Sequence, residues 1–200
     1  MNSHDLLPHE PFKRLFFALP CSAVQGKAIS RWRSALKLRN GRPVPTANFH
    51  LTLMFLGDVG VSQLPAILDA AARLRPLPAP SAIILDQLEV WRRSQALVLV
   101  PEQPQAALLR WVYELQQAML PLGFAVDPRE FQPHLTLMRD YRGPVPEAPL
   151  DTEFRIAARE FVLYESYKGK YEPLAQWPLV EPAPAPLERP RPMLHPFQVP

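Results

Sequence analysis

The 200-residue sequence has a single cysteine, Cys21, and only seven glycines. One cysteine cannot form an intrachain disulfide and is typical of a reducing compartment, so we expect a cytoplasmic protein. The sequence also lacks an apolar run of about 18 residues, and we therefore predict no transmembrane span. The first residues lack the basic segment followed by an apolar stretch that marks a secretory signal, so we expect none.

An excess of charge of either sign is also missing. Lysine and arginine number 22 against 19 acidic residues, which leaves a net charge of +3. This balance favours a phosphate-bearing ligand but is small for a dedicated nucleic-acid binder. The sequence has no glycine-rich phosphate loop and no lysine motif for nucleotidyl transfer, which argues against an ATP-driven ligase.

Proline, by contrast, is abundant, with 26 residues. From Pro178 onward the chain is so rich in proline that it cannot form a hydrogen-bonded ladder, and we expect the folded body to end near Trp177–Val180. We predict a flexible N-terminus over residues 1–11, a folded domain over 12–180, and an extended or disordered tail over 181–200. The tail is interpreted as a solvated extension, with a partner-binding motif as the alternative.

Hydrophobic periodicity predicts the element order β-α-β-α-β-β-α-β-β-β. The hairpin-length links indicate an α+β fold with mainly antiparallel strands. Predicted strands are Phe12–Leu19, Phe49–Leu56, Ala82–Val90, Ala96–Val100, Phe131–Met138, Phe154–Tyr167 and Tyr171–Trp177; predicted helices run from the Ser22 cap to about Arg39, from Ser62 to Arg75 and from Pro104 to Leu120.

The pentapeptide His-Leu-Thr-Leu-Met occurs twice, beginning at His50 and at His134. Because side chains alternate along a strand, His50 and Thr52 share one face while the leucines anchor the other face in a core. His134 and Thr136 repeat this arrangement. We expect two similar lobes that meet at a cleft and surround one small anion with two imidazoles and two hydroxyls.

A pair of histidines suits hydrolysis of a cyclic phosphodiester. With an ordinary pKa near 6.5, one imidazole can be neutral and accept a proton from water while the other is protonated and donates to the departing ribose oxygen. Threonine hydroxyls can donate to the non-bridging oxygens. The residues alone leave open which histidine takes which role. A zinc site needs three or four ligands, and neither motif brings a nearby cysteine or second histidine, so we predict no metal and no cofactor.

The motifs and their flanking residues resemble a known family. The matching segments are Arg14–Leu19, Asn48–Gly57, Pro133–Asp140, Leu163–Ser166 and Tyr171–Leu174. They resemble the two-histidine (2H) phosphoesterase superfamily, and within it the RNA 2′,3′-cyclic phosphodiesterases once described as 2′-5′ RNA ligases. The resemblance implies a bilobal α+β fold, with two mainly antiparallel sheets flanking a central cleft, helices outside and no metal. It also implies that His50 is the proton donor, that His134 is the base, and that the product is a 2′-phosphomonoester.

Arg139, next to the second motif, is a candidate phosphate contact. Strict alternation would point it away from the His134 face, so it reaches phosphate only if the strand ends or bulges at Met138. A structural or surface arginine is the alternative. Four aromatic residues could stack on a nucleobase, although residues of this kind more often belong to the core. They are Phe49, Phe131, Tyr141 and Tyr164.

The expected partner is an RNA or nucleotide with a 2′,3′-cyclic phosphate end. We expect the protein to be a monomer and to have no membrane partner. Three functions remain open: hydrolysis of that end, 2′-5′ ligation by the reverse use of the same histidines, and RNA or nucleotide binding without turnover. A matched acid and base favour catalysis, because a binding module needs neither.

Overall fold

The computed structural model describes residues 10–74, 82–126, 131–147 and 153–179. The Pro-rich tail and most of the predicted flexible N-terminus lie outside the described residues. The helices are α1 (Ala23–Ala35), α2 (Leu64–Ala72) and α3 (Ala106–Met119). The strands are β1 (Phe12–Pro20), β2 (Arg42–Pro43), β3 (His50–Gly60), β4 (Ile83–Leu85), β5 (Gln87–Trp91), β6 (Ala96–Val100), β7 (Leu135–Arg139), β8 (Phe154–Ile156), β9 (Glu160–Tyr167) and β10 (Lys170–Pro178).

The main sheet has the strand order β10-β9-β1-β3-β7-β6-β5, and the short β2 pairs with β7. Every pairing between described strands is antiparallel, so the predicted α+β fold with mainly antiparallel sheets is confirmed. The sheet consists of two four-stranded halves. Within the described chain, one residue pair joins them, Leu51 of β3 with Leu135 of β7.

Helix α1 begins as the sequence predicts but ends earlier. The Ser22 side chain accepts from the Gln25 backbone while the Gln25 side chain accepts from the Ser22 backbone, which is a capping box. The helix stops at Ala35 instead of Arg39, because Lys37 adopts a left-handed φ of 50° that no helix can continue. Gly41, with a φ of 95°, instead turns the chain into β2, a strand that periodicity did not predict.

Two predicted long strands are each divided in the structure. Asp86 separates β4 from β5: its backbone N–H donates to Val100, and its carboxylate accepts from the Glu102 backbone at 2.7 Å. A side chain that bonds the backbone in this way competes with the strand ladder. Similarly, β8 and β9 divide the segment predicted as one strand, and β4 pairs with β8 in a separate two-stranded sheet. Among the described residues, no helix is long and apolar enough to cross a membrane.

The leucines of both motifs lie in the core, as their alternation predicts. Leu51, Leu53, Leu135 and Leu137 are all buried and belong to one cluster with residues of β1, α1 and α3. Because these leucines face the core, the histidine and threonine of each motif lie on the opposite side of the sheet.

Both motif strands contain a bulge at the same position. Beside β1, Thr52 and Met54 face consecutive residues, so Leu53 is the extra residue. Beside β6, Thr136 and Met138 face consecutive residues, so Leu137 is the extra residue. A bulge shifts the alternation by one place. The methionines therefore join the core, and the residue after each of them turns toward the histidine face.

The second bulge is held by Arg33 of α1. Its Nη1 donates to the carbonyl oxygens of Val44 at 2.5 Å and Leu137 at 3.0 Å. The guanidinium also lies 5.2 Å from the ring centre of Phe49, the residue before the first histidine. Arg33 thus links helix α1 to the backbone of the second motif and to the aromatic ring that precedes the first motif.

We expect Arg33→Met to lower the free energy of unfolding by about 1–3 kcal/mol, because two carbonyl oxygens lose a charged donor. Urea denaturation measures the loss. Arg31→Met is the matched control, since Arg31 is exposed on the same helix. Equal stability of the two variants would contradict the bridging role of Arg33.

Candidate active site

The first histidine stands at the start of β3 and is held from both ring nitrogens. His50 Nδ1 lies 2.6 Å from the carbonyl oxygen of Asn48, and Nε2 lies 3.1 Å from Thr52 Oγ1. A carbonyl oxygen can only accept, so Nδ1 carries a proton and donates it. In the neutral ring Nε2 is then the unprotonated nitrogen and lies beside the threonine hydroxyl.

The second histidine repeats this arrangement. His134 Nδ1 donates to the carbonyl oxygen of Gln132 at 2.8 Å, again two residues upstream. Each motif therefore fixes its imidazole through the backbone and leaves Nε2 as the nitrogen that can exchange a proton with a ligand. Sequence alternation predicted the face of each imidazole but not this tautomer.

The strand pairing brings the two motifs side by side. Since β3 and β7 are antiparallel with Leu51 opposite Leu135, His50 lies on the Thr136 side of the pair and Thr52 on the His134 side. Among the described residues, Thr52 is the one polar residue that is buried, with 8% exposure, whereas Thr136 is half-buried. The two imidazoles and two hydroxyls thus share one face of the sheet.

Arg139 also reaches this face, which strict alternation did not predict. The bulge at Leu137 turns the Arg139 side chain toward the histidine face. This bulge lies one residue before Met138, the position considered from sequence. Arg139 Nη2 donates to the Tyr171 hydroxyl at 3.3 Å. Its positive charge lowers the pKa of both His50 and His134, although burial lowers each pKa more.

Aromatic rings surround both histidines. The His50 ring lies 5.1 Å from Phe16 and 5.1 Å from Tyr171, while the His134 ring lies 4.3 Å from Trp91. Periodicity did not single out these three rings, because each belongs to a strand far from the motifs in sequence. The available signal was position: Trp91 directly follows the predicted strand Ala82–Val90, and Tyr171 begins a segment of the family resemblance.

The four aromatic residues considered from sequence divide between the core and the histidine face of the sheet. Phe49 and Tyr141 are buried core residues, and the Tyr141 hydroxyl donates to the Pro144 carbonyl oxygen at 2.9 Å. Phe131 packs, partly buried, against the core. Tyr164 is half-buried and stacks on Phe16 at 5.4 Å, which places it on the histidine face.

Both copies of the motif lie in segments of this chain that match a known protein family. The family model described as LigT like Phosphoesterase matches residues 19–100 and 98–174, and each match contains one His-Leu-Thr-Leu-Met copy. The chain belongs to the LigT-like phosphoesterase family. The resemblance inferred from the motifs is thereby confirmed.

Relatives of this LigT-like chain have a consistent description. This chain is 33% identical over 174 residues to the RNA 2′,3′-cyclic phosphodiesterase of Escherichia coli strain K12, and the match covers 84% of this chain and 98% of the relative. A Geobacillus stearothermophilus protein of the same description is 31% identical over 82% of this chain and 57% of the relative. The crystal structure of E. coli LigT complexed with 3′-AMP superposes with a TM-score of 0.77 at 33% identity, covering 86% of this chain and 100% of that one.

Burial determines the electrostatics of the LigT-like site. It lowers the pKa of His50 to about 4, with smaller contributions from the charges of Arg139 and His134, while the hydrogen bond that the ring donates to the Asn48 carbonyl oxygen acts in the opposite direction. The pKa of His134 is also lowered, again mainly by burial. At neutral pH both imidazoles of the free protein are therefore neutral. A bound phosphate anion would raise both pKa values, because an opposite charge favours the protonated ring.

Other nucleophiles and ligand sets are less suited to this site. Burial raises the pKa of the Cys21 thiol to about 12, so that the reactive thiolate is scarce at neutral pH. Within the described ranges, no group of three His, Cys, Asp or Glu side chains could hold a metal ion.

We expect the His50 titration midpoint to lie near pH 4 in the free protein and to rise when inorganic phosphate binds. Replacement of Arg139 by Gln should raise the midpoints of both histidines, because it removes a charge that opposes protonation. Histidine NMR titration measures both effects. The control is Arg142→Gln, since Arg142 is exposed and contributes to neither shift. A His50 midpoint near 6.5 would contradict the burial argument.

Proposed function

We propose that this chain hydrolyses RNA 2′,3′-cyclic phosphate ends to 2′-phosphomonoesters by acid-base catalysis with two histidines. The observation that carries the proposal is the pair of imidazoles on one face, each held at Nδ1 by a carbonyl oxygen two residues upstream. The relatives from E. coli and G. stearothermophilus are both described as RNA 2′,3′-cyclic phosphodiesterases. A solved relative is complexed with 3′-AMP, a ribonucleotide monophosphate that differs from the proposed product in carrying its phosphate on the 3′ oxygen.

In the proposed reaction His134 acts as the base and His50 as the acid. Nε2 of His134 accepts a proton from water, and the water oxygen attacks phosphorus. The bond from phosphorus to the ribose 3′ oxygen breaks, and protonated His50 donates its Nε2 proton to that oxygen. The substrate phosphate supplies the negative charge that keeps His50 protonated despite its low pKa in the free protein.

Thr52, Thr136 and Arg139 are proposed to bind the non-bridging phosphate oxygens. Donors of this kind stabilise the charge that grows in the transition state. No metal or cofactor is required by the scheme. Ligation to a 2′-5′ linkage would use the same groups with a ribose 5′-hydroxyl in place of water, and analysis of the products distinguishes the two.

A cytoplasmic monomer is part of the proposal. The single cysteine supports the reducing compartment. Both histidine motifs come from one chain, so the proposed site requires no second copy. Size-exclusion chromatography tests the monomer.

We expect His50→Ala and His134→Ala each to lower kcat by a factor of about 10² to 10⁴, because each removes one proton-transfer step. The double variant should be little worse than either single variant, since the two groups act together. The assay uses an oligoribonucleotide with a 2′,3′-cyclic phosphate end in EDTA, with His195→Ala as the control outside both motifs. Near-wild-type rates in the single variants, or activity that EDTA abolishes and zinc restores, would overturn the mechanism.

Thr52→Val and Thr136→Val should each reduce kcat/KM by an amount equivalent to about 1–3 kcal/mol, because a phosphate oxygen loses a donor. The matched control is Thr46→Val, since Thr46 lies against Gly26 on α1 and not beside either histidine. Steady-state kinetics and thermal unfolding are measured together. Unchanged activity with a lower Tm would assign the hydroxyl to the fold.

A further inference from the structure

The two histidine motifs differ in the residue that lies two positions before each histidine. Asn48 and Gln132 occupy these positions, and each supplies the backbone carbonyl oxygen that accepts from a ring Nδ1. The Gln132 side chain is exposed, whereas the Asn48 side chain is half-buried. Asn48 Nδ2 donates to the Gly169 carbonyl oxygen at 3.0 Å, across 121 positions of the chain. The side chain before the first histidine therefore makes a long-range hydrogen bond, while its counterpart faces solvent.

The next residue in each motif gives a physical reason for this difference. Pro133 follows Gln132, and a proline ring fixes its own φ and keeps the preceding residue extended. Covalent geometry thus restricts the Gln132 carbonyl. Phe49 follows Asn48 and imposes no such restriction. Asn48 also ends a 3₁₀ turn of only three residues, an element with poor hydrogen-bond geometry. The carbonyl oxygen of the first motif therefore needs support from outside its own segment.

The turn that contains Gly169 is well placed to give this support. Lys168 and Gly169 form the two-residue turn between β9 and β10, with φ values of 49° and 78°. Positive φ at both positions is the type I′ conformation, whose twist matches that of the paired strands. Tyr167 and Lys170 on either side of the turn are already paired. The Gly169 carbonyl oxygen therefore has a position that the main sheet determines.

The β9–β10 hairpin also contacts the His50 ring directly. The Tyr171 ring lies 5.1 Å from the His50 ring at an angle of 90°, and Phe16 of β1 lies 5.1 Å from it. These rings restrict the orientation of the imidazole, but an aromatic contact does not decide which nitrogen carries the proton. The carbonyl oxygen of Asn48 decides it, because a carbonyl can only accept.

We propose that the Asn48 side chain is a positioning residue for the general acid, because its bond to Gly169 holds the Asn48 carbonyl oxygen against His50 Nδ1 and leaves Nε2 to transfer the proton. The inference rests on the proposed function and adds a residue to it. The bond from the ring to this carbonyl also opposes the effect of burial on the pKa of His50, and so favours the protonated acid.

The first test replaces Asn48 by alanine, which keeps the backbone carbonyl and removes the side-chain donor. We expect N48A to lower kcat by about tenfold while KM changes by less than about twofold, because a misplaced acid slows the chemical step and not substrate binding. The assay uses the oligoribonucleotide with a 2′,3′-cyclic phosphate end. The control is N40A, since Asn40 is exposed. An unchanged kcat, or a loss confined to KM, would refute the proposal.

The second test reads the tautomer of each imidazole without any substrate. At neutral pH both rings are neutral, and ¹⁵N NMR identifies the nitrogen that carries the proton. N48A should convert His50 from the Nδ1–H form to a mixture of tautomers. Q132A should keep the His134 proton on Nδ1, because Pro133 still restricts the carbonyl. A lower Tm in N48A with an unchanged His50 tautomer would mean that Asn48 serves only the fold.

A third test changes the other partner of the bond. Gly169 and Gly57 both have a φ of 78°, and a Cβ at either position would have no neighbour within 4 Å. Alanine therefore introduces the same backbone strain at both positions without a clash. G169A should shift the His50 tautomer and lower kcat, because it disturbs the carbonyl that accepts from Asn48. G57A should lower Tm alone. Equal effects of the two variants on the tautomer would contradict the support by the turn.

Failure of the proposed function gives a different result. If the wild-type protein does not hydrolyse the oligoribonucleotide, the hydrolase assignment is wrong. The tautomer measurements on N48A and G169A still show whether Asn48 and the turn orient His50, because they require no turnover. A His50 tautomer that changes in neither variant would end the positioning role as well.

Discussion

The pairing of Leu51 with Leu135 is the constraint on which the site depends. Both side chains are fully buried, and among the described strands this is the one residue pair through which the ladder of one half of the sheet meets that of the other. Its antiparallel register sets the histidine of each motif toward the threonine of the other. A shift of one residue in either strand would turn that imidazole into the core and its leucines outward. The apolar side of the motif thereby positions the polar side.

The burial that orders the motifs also sets their charge state. Imidazoles packed against aromatic rings lose solvent, and their pKa values fall, so the free site contains two neutral histidines beside the cationic Arg139. The charges that act on the two histidines there are positive. A phosphodiester would supply that charge and make protonation of one ring favourable. In the proposed mechanism, ligand binding and protonation of the general acid are then parts of the same electrostatic change.

Local pattern predicted most of the fold. The buried leucines, the Ser22 cap and the antiparallel strands follow from residue spacing and capping chemistry. The bulges do not follow from a strict period of two. Their trace in the sequence is the adjacent apolar pair that ends each motif, Leu53-Met54 and Leu137-Met138, which breaks the alternation. The division between β4 and β5 depends on the Asp86 carboxylate, which accepts a hydrogen bond from the Glu102 backbone. Residue spacing alone cannot reveal such a bond.

The sequence by itself determined that two identical motifs present a histidine and a threonine on one face and leucines on the other, because strand geometry is local. Only the tertiary structure decided what surrounds them. Strand order brings Trp91 and Tyr171 to the histidines, and a bulge held by Arg33 turns Arg139 toward the histidine face. These contacts join residues distant in the chain, so they exist only once the sheet has assembled.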